Sequence, residues 1–378
     1  MKKITDLELK NKTVLLRVDY NVPIENGIIK DNNRIKQSLE TLNYLINQNC
    51  KIILLSHLGK VKEEKDKENN SLRPVREELS KLLNKEVFFV SEPKGEELEN
   101  KVKSLKNKEI ILVENTRYMD VPDKLESNCD DELSKYWASL ADIFVMDAFG
   151  SIHREHASTY GVTKYLESAA GFLVLKEIEE LDKVKESNKN IILGGAKVSD
   201  KIGLIQNLIE NTENIFIGGA MCATFLKAEN INVGKTFVDE EKMDVVKDLL
   251  KKYREKIIIP VDVVTENEIK SIYEIEDDEA ILDIGPETVE LFKAYLNKNI
   301  VTLVNGTMGL FEKEEYENGT KSILEYLHDS NIKTVICGGD TGSAVKKYNL
   351  NFYYVSTGGG ASLEYLGNDT LPCIEVLK

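Results

Sequence analysis

The chain has 378 residues, with 65 acidic against 50 basic side chains, a net charge of −15 and 42% hydrophobic composition. That length predicts two domains, each able to bury a core without disulfide staples, and the five cysteines are too dispersed for a disulfide framework or a zinc site. The acidic balance argues against a nucleic-acid binder; with no run of about 18 apolar residues and no apolar leader in Met1–Asp6, the expectation is a cytoplasmic protein without nucleic-acid or membrane partners.

Short, continuous runs of Ile, Leu and Val punctuate the chain, separated by helix-like stretches. Such runs mark strands buried on both faces of a parallel sheet. In the first half they predict strands at 13–19, 51–56, 86–91, 109–114 and 142–147. In the second half they predict strands at 190–193, 214–217, 256–261, 300–304, 333–337 and 352–355. Strands alternating with helices give an α/β class. The segment 60–70 (KVKEEKDKENN) reads as a charged, solvated loop, and 169–190 as a helix followed by a polar break, where the domain boundary is expected.

Chemistry-bearing residues follow the strands. In the first half, Asp19 ends a predicted strand, and Asn21, His57, Arg117 and Arg154 each lie just beyond one. Only seven of the basic residues are arginine, and six of those precede residue 160. An arginine fork suits phosphate or carboxylate. If the strands are parallel neighbours, His57, Arg117 and Arg154 converge on one edge and favour a small polyanion. Taken singly, each is as readily structural.

In the second half, glycine clusters follow most strands: 194–195, 218–219, 306 and 309, 338–339, and 358–360. Glycine there allows backbone N–H groups close to phosphate, beside a helix N-terminus. Lys197 and Lys201 sit in one such turn, ahead of a helix whose predicted stripe is Ile202, Ile205, Leu208 and Ile209. Asp340 and Thr341 open another, either as a Mg²⁺ site on a nucleotide or, for Asp340, as a plain helix cap. Gly234-Lys235-Thr236 imitates the end of a P-loop, but Glu229 stands where that motif needs glycine, and it is set aside.

RVDYNVP (17–23), LLSHLG (54–59), ENTR (114–117), DAFG (147–150), GGAKVSDKI (194–202), NGTMGLFE (305–312), GGDT (338–341) and STGGGASLE (356–364) occur in an order that resembles the phosphoglycerate kinase family. The resemblance implies two Rossmann-like domains, each a parallel β-sheet flanked by helices, joined by a hinge helix. It places a phosphoglycerate-binding domain at 1–168, the hinge at 169–190 and a nucleotide-binding domain at 191–362. A C-terminal segment, 363–378, returns to the first domain. The implied activity is reversible phosphoryl transfer from 1,3-bisphosphoglycerate to ADP, giving 3-phosphoglycerate and ATP, with Mg²⁺ and a monomeric enzyme. Asp19, Asn21, Arg34, His57, Lys60, Arg117 and Arg154 match the phosphoglycerate site. Lys197, Lys201, Gly218, Gly219, Asn305, Leu310, Glu312, Gly338, Gly339, Asp340 and Thr341 match the nucleotide site, with Asp340 on the metal. Arg34, Lys197 and Lys201 take the catalytic roles. Four departures stand out: Lys60 replaces the usual arginine, Thr307 a proline, Val304 a tryptophan, and Asn32-Asn33 an Asp-Thr pair. A kinase of the same fold acting on another small carboxylate is the alternative they leave open.

Overall fold

The structure, a computed structural model, describes residues 1–266, 268–368 and 370–378. Two compact units divide the chain: Met1–Ile178 with Thr370–Lys378, and Glu179–Asp369.

The first unit is built on six strands, β1 (Thr13–Val18), β2 (Lys51–Leu55), β3 (Phe88–Val90), β4 (Ile110–Val113), β5 (Ile143–Asp147) and β6 (Glu167–Ala170). They pair in the order β3-β4-β2-β1-β5-β6, parallel throughout. Val14, Leu15, Leu16 and Val18 on β1 are fully buried, as are all four residues of β4. Each such side chain contributes roughly 1.5–3 kcal/mol by leaving water. β6 escaped the sequence reading because its residues, ESAA, carry no apolar run. Segment 60–70 needs correction as well. Val61 is buried, Asp66–Asn69 forms a helical turn, and Asn70 accepts a hydrogen bond from Asn115 Nδ2 at 2.8 Å.

The second unit repeats the plan with β7 (Lys189–Leu193), β8 (Thr212–Ile217), β9 (Ile257–Ile258), β13 (Val301–Asn305), β14 (Thr334–Cys337) and β15 (Tyr354–Val355). Their order is β9-β8-β7-β13-β14-β15, again parallel. An antiparallel sheet of β10 (Asp262–Val264), β11 (Ile269–Ser271) and β12 (Asp283–Ile284) interrupts it. Strands of two or three residues leave no periodic signal, so this sheet was not foreseen. The helices that matter here are α1 (Asn33–Gln37), α2 (Phe172–Glu186), α3 (Ile202–Leu208), α4 (Pro286–Tyr295), α5 (Asn318–Asp329), α6 (Gly339–Lys347) and α7 (Gly360–Gly367). The division between units falls inside α2, and α7 belongs to the second unit although the return segment was expected from residue 363. On α3 the buried residues are Leu204, Ile205 and Leu208, and Ile209 lies beyond it in a 3-10 turn.

Three buried carboxylates fasten helices to strand ends. Asp147 Oδ1 accepts from Leu173 N and Val174 N at the start of α2, at 2.9 and 3.3 Å. Asp262 accepts from Glu287 N and Thr288 N on α4, and Asp283 from Gly319 N on α5. Helix N-termini leave such N–H groups without intrahelical acceptors, so the carboxylates complete them. Burial nevertheless pushes both Asp147 and Asp283 from the ordinary 3.8 up to about 7. For an acid whose folded value is raised, the stabilisation is complete below pH 3.8 and is lost as the pH rises through 7. Asp147→Asn, with nothing to titrate, should therefore gain on the parent protein by about 2 kcal/mol between pH 5 and pH 8. Urea unfolding of both proteins at the two pH values measures this, and a constant difference would contradict it.

Candidate active site

Parallel pairing delivers the polar residues of the first unit to one sheet edge. Asp19 and Asn21 follow β1, His57 follows β2, Arg117 follows β4 and Arg154 follows β5, while Arg34 projects from α1. Arg34 Nη1 donates to Asp19 Oδ2 at 2.9 Å and to the Asn21 carbonyl at 3.3 Å. Asn21 Oδ1 in turn accepts from Gly59 N at 2.8 Å, tying the β1 loop to the β2 loop. Asn115 couples the next pair of loops: its Oδ1 accepts from Leu58 N and Arg117 N, and its Nδ2 donates to Leu58 O.

Electrostatics show how closely these groups meet. His57 is only 7% exposed, and burial first, then Arg17, Arg117, Arg154 and Arg34, holds its pKa well below the ordinary 6.5. Burial and the neighbouring arginines also lower His153 to about 4 and His156 to about 3. Arg117 Nε is buried with no hydrogen-bond partner among the described residues. An unsatisfied cationic donor is costly without an anion to receive it. Lys60, by contrast, is exposed and makes no hydrogen bond or ion pair with this cluster among the described residues.

Arg17 was missed, although its position was a signal: a charge inside the apolar strand TVLLRV. It is fully buried, donates from Nε to Ser158 Oγ at 2.9 Å, and places Nη2 3.2 Å from His57 Nδ1.

In the second unit a cavity of about 380 Å³ opens beyond the strand ends. Gly219, Leu310, Glu312 and Asp340 line it, together with Thr307. Gly218 lies behind its wall, where a Cβ would stand 2.4 Å from Met308 Sδ. The glycines at 194–195 and 218–219 do not offer their N–H groups to a ligand as expected. Gly194 N donates to Asn305 O, Gly195 N to Thr307 O, Gly218 N to Leu193 O and Gly219 N to Met308 O. Their lack of side chains instead lets three loops stack: a Cβ on Gly306 would meet Gly194 O at 2.2 Å.

The turn that opens onto free space is at the start of α6. Gly338 has φ +99°, and a Cβ on Gly339 would meet nothing within 4 Å. The first-turn N–H groups there have no intrahelical acceptor. Thr341 Oγ1 accepts from Gly306 N at 2.7 Å, and Asn305 Nδ2 donates to Cys337 O at 2.9 Å, so both brace the turn. Asn305 Oδ1 is buried without a partner among the described residues. Burial lowers the pKa of half-buried Lys201, while Asp200 and Asp340 raise it. Exposed Lys197 holds its ammonium 5.6 Å from the centre of the Phe237 ring.

Lys235 and Thr236, from the segment set aside as a false P-loop, also line the cavity, together with Phe237. They arrive through loop pairing, with Lys235 N on Glu279 O and Ile281 N on Thr236 Oγ1. Among the described residues no three His, Cys, Asp or Glu side chains cluster as a metal cage. Of the two carboxylates lining the cavity, Glu312 and Asp340, the one in the first turn of α6, Asp340, fits an ion that takes its remaining oxygens from phosphates and water, the usual manner of Mg²⁺.

The phosphoglycerate kinase family model matches residues 4–369. The chain belongs to the phosphoglycerate kinase family. A phosphoglycerate kinase of Staphylococcus aureus is 48% identical over 393 aligned positions, spanning 100% of this chain and 99% of that protein. The solved phosphoglycerate kinase of Coxiella burnetii superposes with a TM-score of 0.85 at 35% identity, over 99% of this chain and 98% of the other. That of Pyrococcus horikoshii gives 0.86 at 29% identity, over 100% and 98%.

Gly234 offers a test of how the cavity wall is built. Its φ is +56°, and a Cβ would lie 2.2 Å from Glu279 O and 2.6 Å from Glu276 O. Gly234→Ala should destabilise the protein by roughly 1–3 kcal/mol and weaken ADP binding, because the same turn carries Lys235–Phe237. Thermal unfolding and calorimetry measure the two effects; an unchanged Tm would show that the turn relaxes freely.

Proposed function

We propose that the arginine-rich edge of the first unit binds 3-phosphoglycerate and 1,3-bisphosphoglycerate, and that the cavity of the second unit binds ADP and ATP with Mg²⁺. Family membership makes the chain a phosphotransferase, a glycolytic kinase of phosphoglycerate. The observation that carries the assignment is the convergence of Arg34, Arg117 and Arg154 on a buried, neutral His57 in a chain of net charge −15, with Arg117 Nε lacking a partner among the described residues. Such a concentration of positive charge fits a small molecule carrying phosphate and carboxylate.

The reaction moves the acyl phosphate of 1,3-bisphosphoglycerate to ADP. Positioning and charge stabilisation dominate phosphoryl transfer, and in-line attack requires the reacting oxygen and phosphorus to approach within roughly 3–3.5 Å. Arg34, already oriented by Asp19, supplies rigid donors to the equatorial oxygens. Lys201 supplies a compact charge from the nucleotide side, and Lys197 a second one to the nucleotide phosphates. First-turn N–H groups at Gly339 and Asp340 hold phosphate oxygens. In the reverse direction the substrate's own carboxylate is the nucleophile, so no protein base is needed. Bound by Asp340 and the nucleotide phosphates, Mg²⁺ would neutralise charge on those phosphates. Leu310, 43% exposed, and Phe237, 52% exposed, offer apolar surface to the nucleoside. The same reading sets the enzyme in the cytoplasm as a monomer acting on small molecules. No described helix is long and apolar enough to cross a membrane.

The direct test is ATP plus 3-phosphoglycerate, coupled through glyceraldehyde-3-phosphate dehydrogenase; no NADH consumption with active coupling enzyme would refute the reading. Arg34→Ala should lower kcat by about 10²-fold or more while ADP affinity hardly changes, as for loss of a transition-state donor. Near-normal turnover would remove Arg34 from its role. Asp340→Asn should weaken Mg-ADP binding at least severalfold and leave 3-phosphoglycerate binding intact, because the two ligands use different units. Calorimetric titrations that lose both ligands equally would contradict that division.

A further inference from the structure

Beneath the basic cluster lies a buried pair of opposite charges that the phosphoryl-transfer chemistry does not itself require. Arg17 on β1 and Glu126 are both fully buried. They communicate through Ser158, whose Oγ accepts from Arg17 Nε at 2.9 Å and donates to Glu126 Oε1. Ser158 N donates to Glu126 Oε2 at 3.0 Å. Arg17 Nη1 donates to the Val18 carbonyl, which leaves Nη2 aimed at His57 Nδ1, 3.2 Å away.

A guanidinium has five N–H donors and no acceptor. Any hydrogen bond between Arg17 and His57 therefore requires a lone pair on Nδ1. Placing a proton on Nδ1 would set N–H against N–H at that distance. We propose that Arg17 is a positioning residue: held by Ser158 and Glu126 beneath the site, it fixes His57 as the neutral imidazole carrying its proton on Nε2. The ring then meets an oxyanion as a donor; the other neutral tautomer would present an acceptor and repel it.

The surroundings agree. Acting on the ring are Arg17 from β1, at 3.2 Å, with Arg34 from α1, Arg117 after β4 and Arg154 after β5; His153 and His156 feel some of the same arginines, and Asp19 acts on His153. Burial and four guanidiniums oppose a second proton on the imidazole, which would make it a cation. Glu126 reaches Arg17 through a hydroxyl, and among the described residues no carboxylate makes a hydrogen bond or ion pair with His57 that would draw the proton to Nδ1. Glu126 itself is pushed upward by burial, and Arg17 is the foremost group pulling it back.

The inference rests on assigning this edge to phosphoglycerate, but its first test does not need turnover. Proton–nitrogen correlation spectra of ¹⁵N-histidine-labelled enzyme at pH 7 report the tautomer of each of the four histidines, and His57→Gln identifies the His57 signals. The expected pattern is Nε2–H with an unprotonated Nδ1. An Nδ1–H ring or an imidazolium overturns the proposal, whatever the variants do. In Arg17→Met with Glu126→Gln, which removes both buried charges together, His57 should lose the single tautomer. KM for 3-phosphoglycerate should then rise about tenfold, the loss of one oriented hydrogen bond, while KM for Mg-ATP stays unchanged. Arg17→Lys, which keeps a donor, should recover part of that loss. A double variant that retains the Nε2–H ring overturns the role of Arg17. Wild-type signals that show the expected tautomer but do not respond to 3-phosphoglycerate overturn the substrate assignment, and with it the use of the donor.

Discussion

Parallel strand pairing is the constraint from which the sites follow. In a parallel sheet every strand ends on the same edge, so residues immediately beyond separate strands become neighbours without any contact between them in sequence. β1, β2, β4 and β5 adjoin one another in the order β4-β2-β1-β5. Asp19, His57, Arg117 and Arg154 therefore meet although up to 135 positions separate them, from Asp19 to Arg154. The second unit uses the same rule with backbone rather than arginine. There the ends of β7, β8 and β13 are brought close enough for glycine loops to stack and leave a cavity beside them.

The two units treat charge differently. In the first, arginines outnumber the carboxylates set against them, and the surplus is left for a ligand to balance. Asp19 holds Arg34 and Glu126 offsets Arg17, while Arg117 Nε stays unsatisfied among the described residues. In the second, Lys201 already has Asp200 and Asp340 to oppose its desolvation. An anion bound at the first would supply the missing negative charge. An anion bound at the second would share lysine with an aspartate, which a bound cation would relieve.

Much of this was legible because strand-end chemistry is local. A run such as EIILV followed by ENTR announces both the strand and the residues it delivers, and the apolar runs matched strands closely from β1 to β15. What stayed hidden depended on long-range pairing. β6 and the antiparallel β10–β12 sheet are too short or too poor in large apolar residues to show a period. Lys235 and Phe237 reach the cavity because Glu279 and Ile281 bind their loop, and no spacing rule encodes that. The glycines misled in an informative way, since freedom from Cβ serves close loop packing as readily as phosphate approach. Arg17 was visible as an oddity, but its task depended on Ser158 and Glu126, more than 100 positions away.

Both chain ends belong to the first unit. Lys2 N donates to Leu377 O at 2.6 Å, Lys2 O accepts from Ala170 N at 3.0 Å, and Cys373 N donates to Ile152 O at 3.3 Å, two residues before Arg154. The second unit is thus an insertion within the first. On a ribosome, where domains ordinarily complete themselves from the amino end onward, the order is reversed here. The second unit has all its residues while the translating chain still lacks the turn around Cys373 that backs the Arg154 loop. Emergence of Thr370–Lys378, rather than synthesis of its six strands, is the event that finishes the first unit.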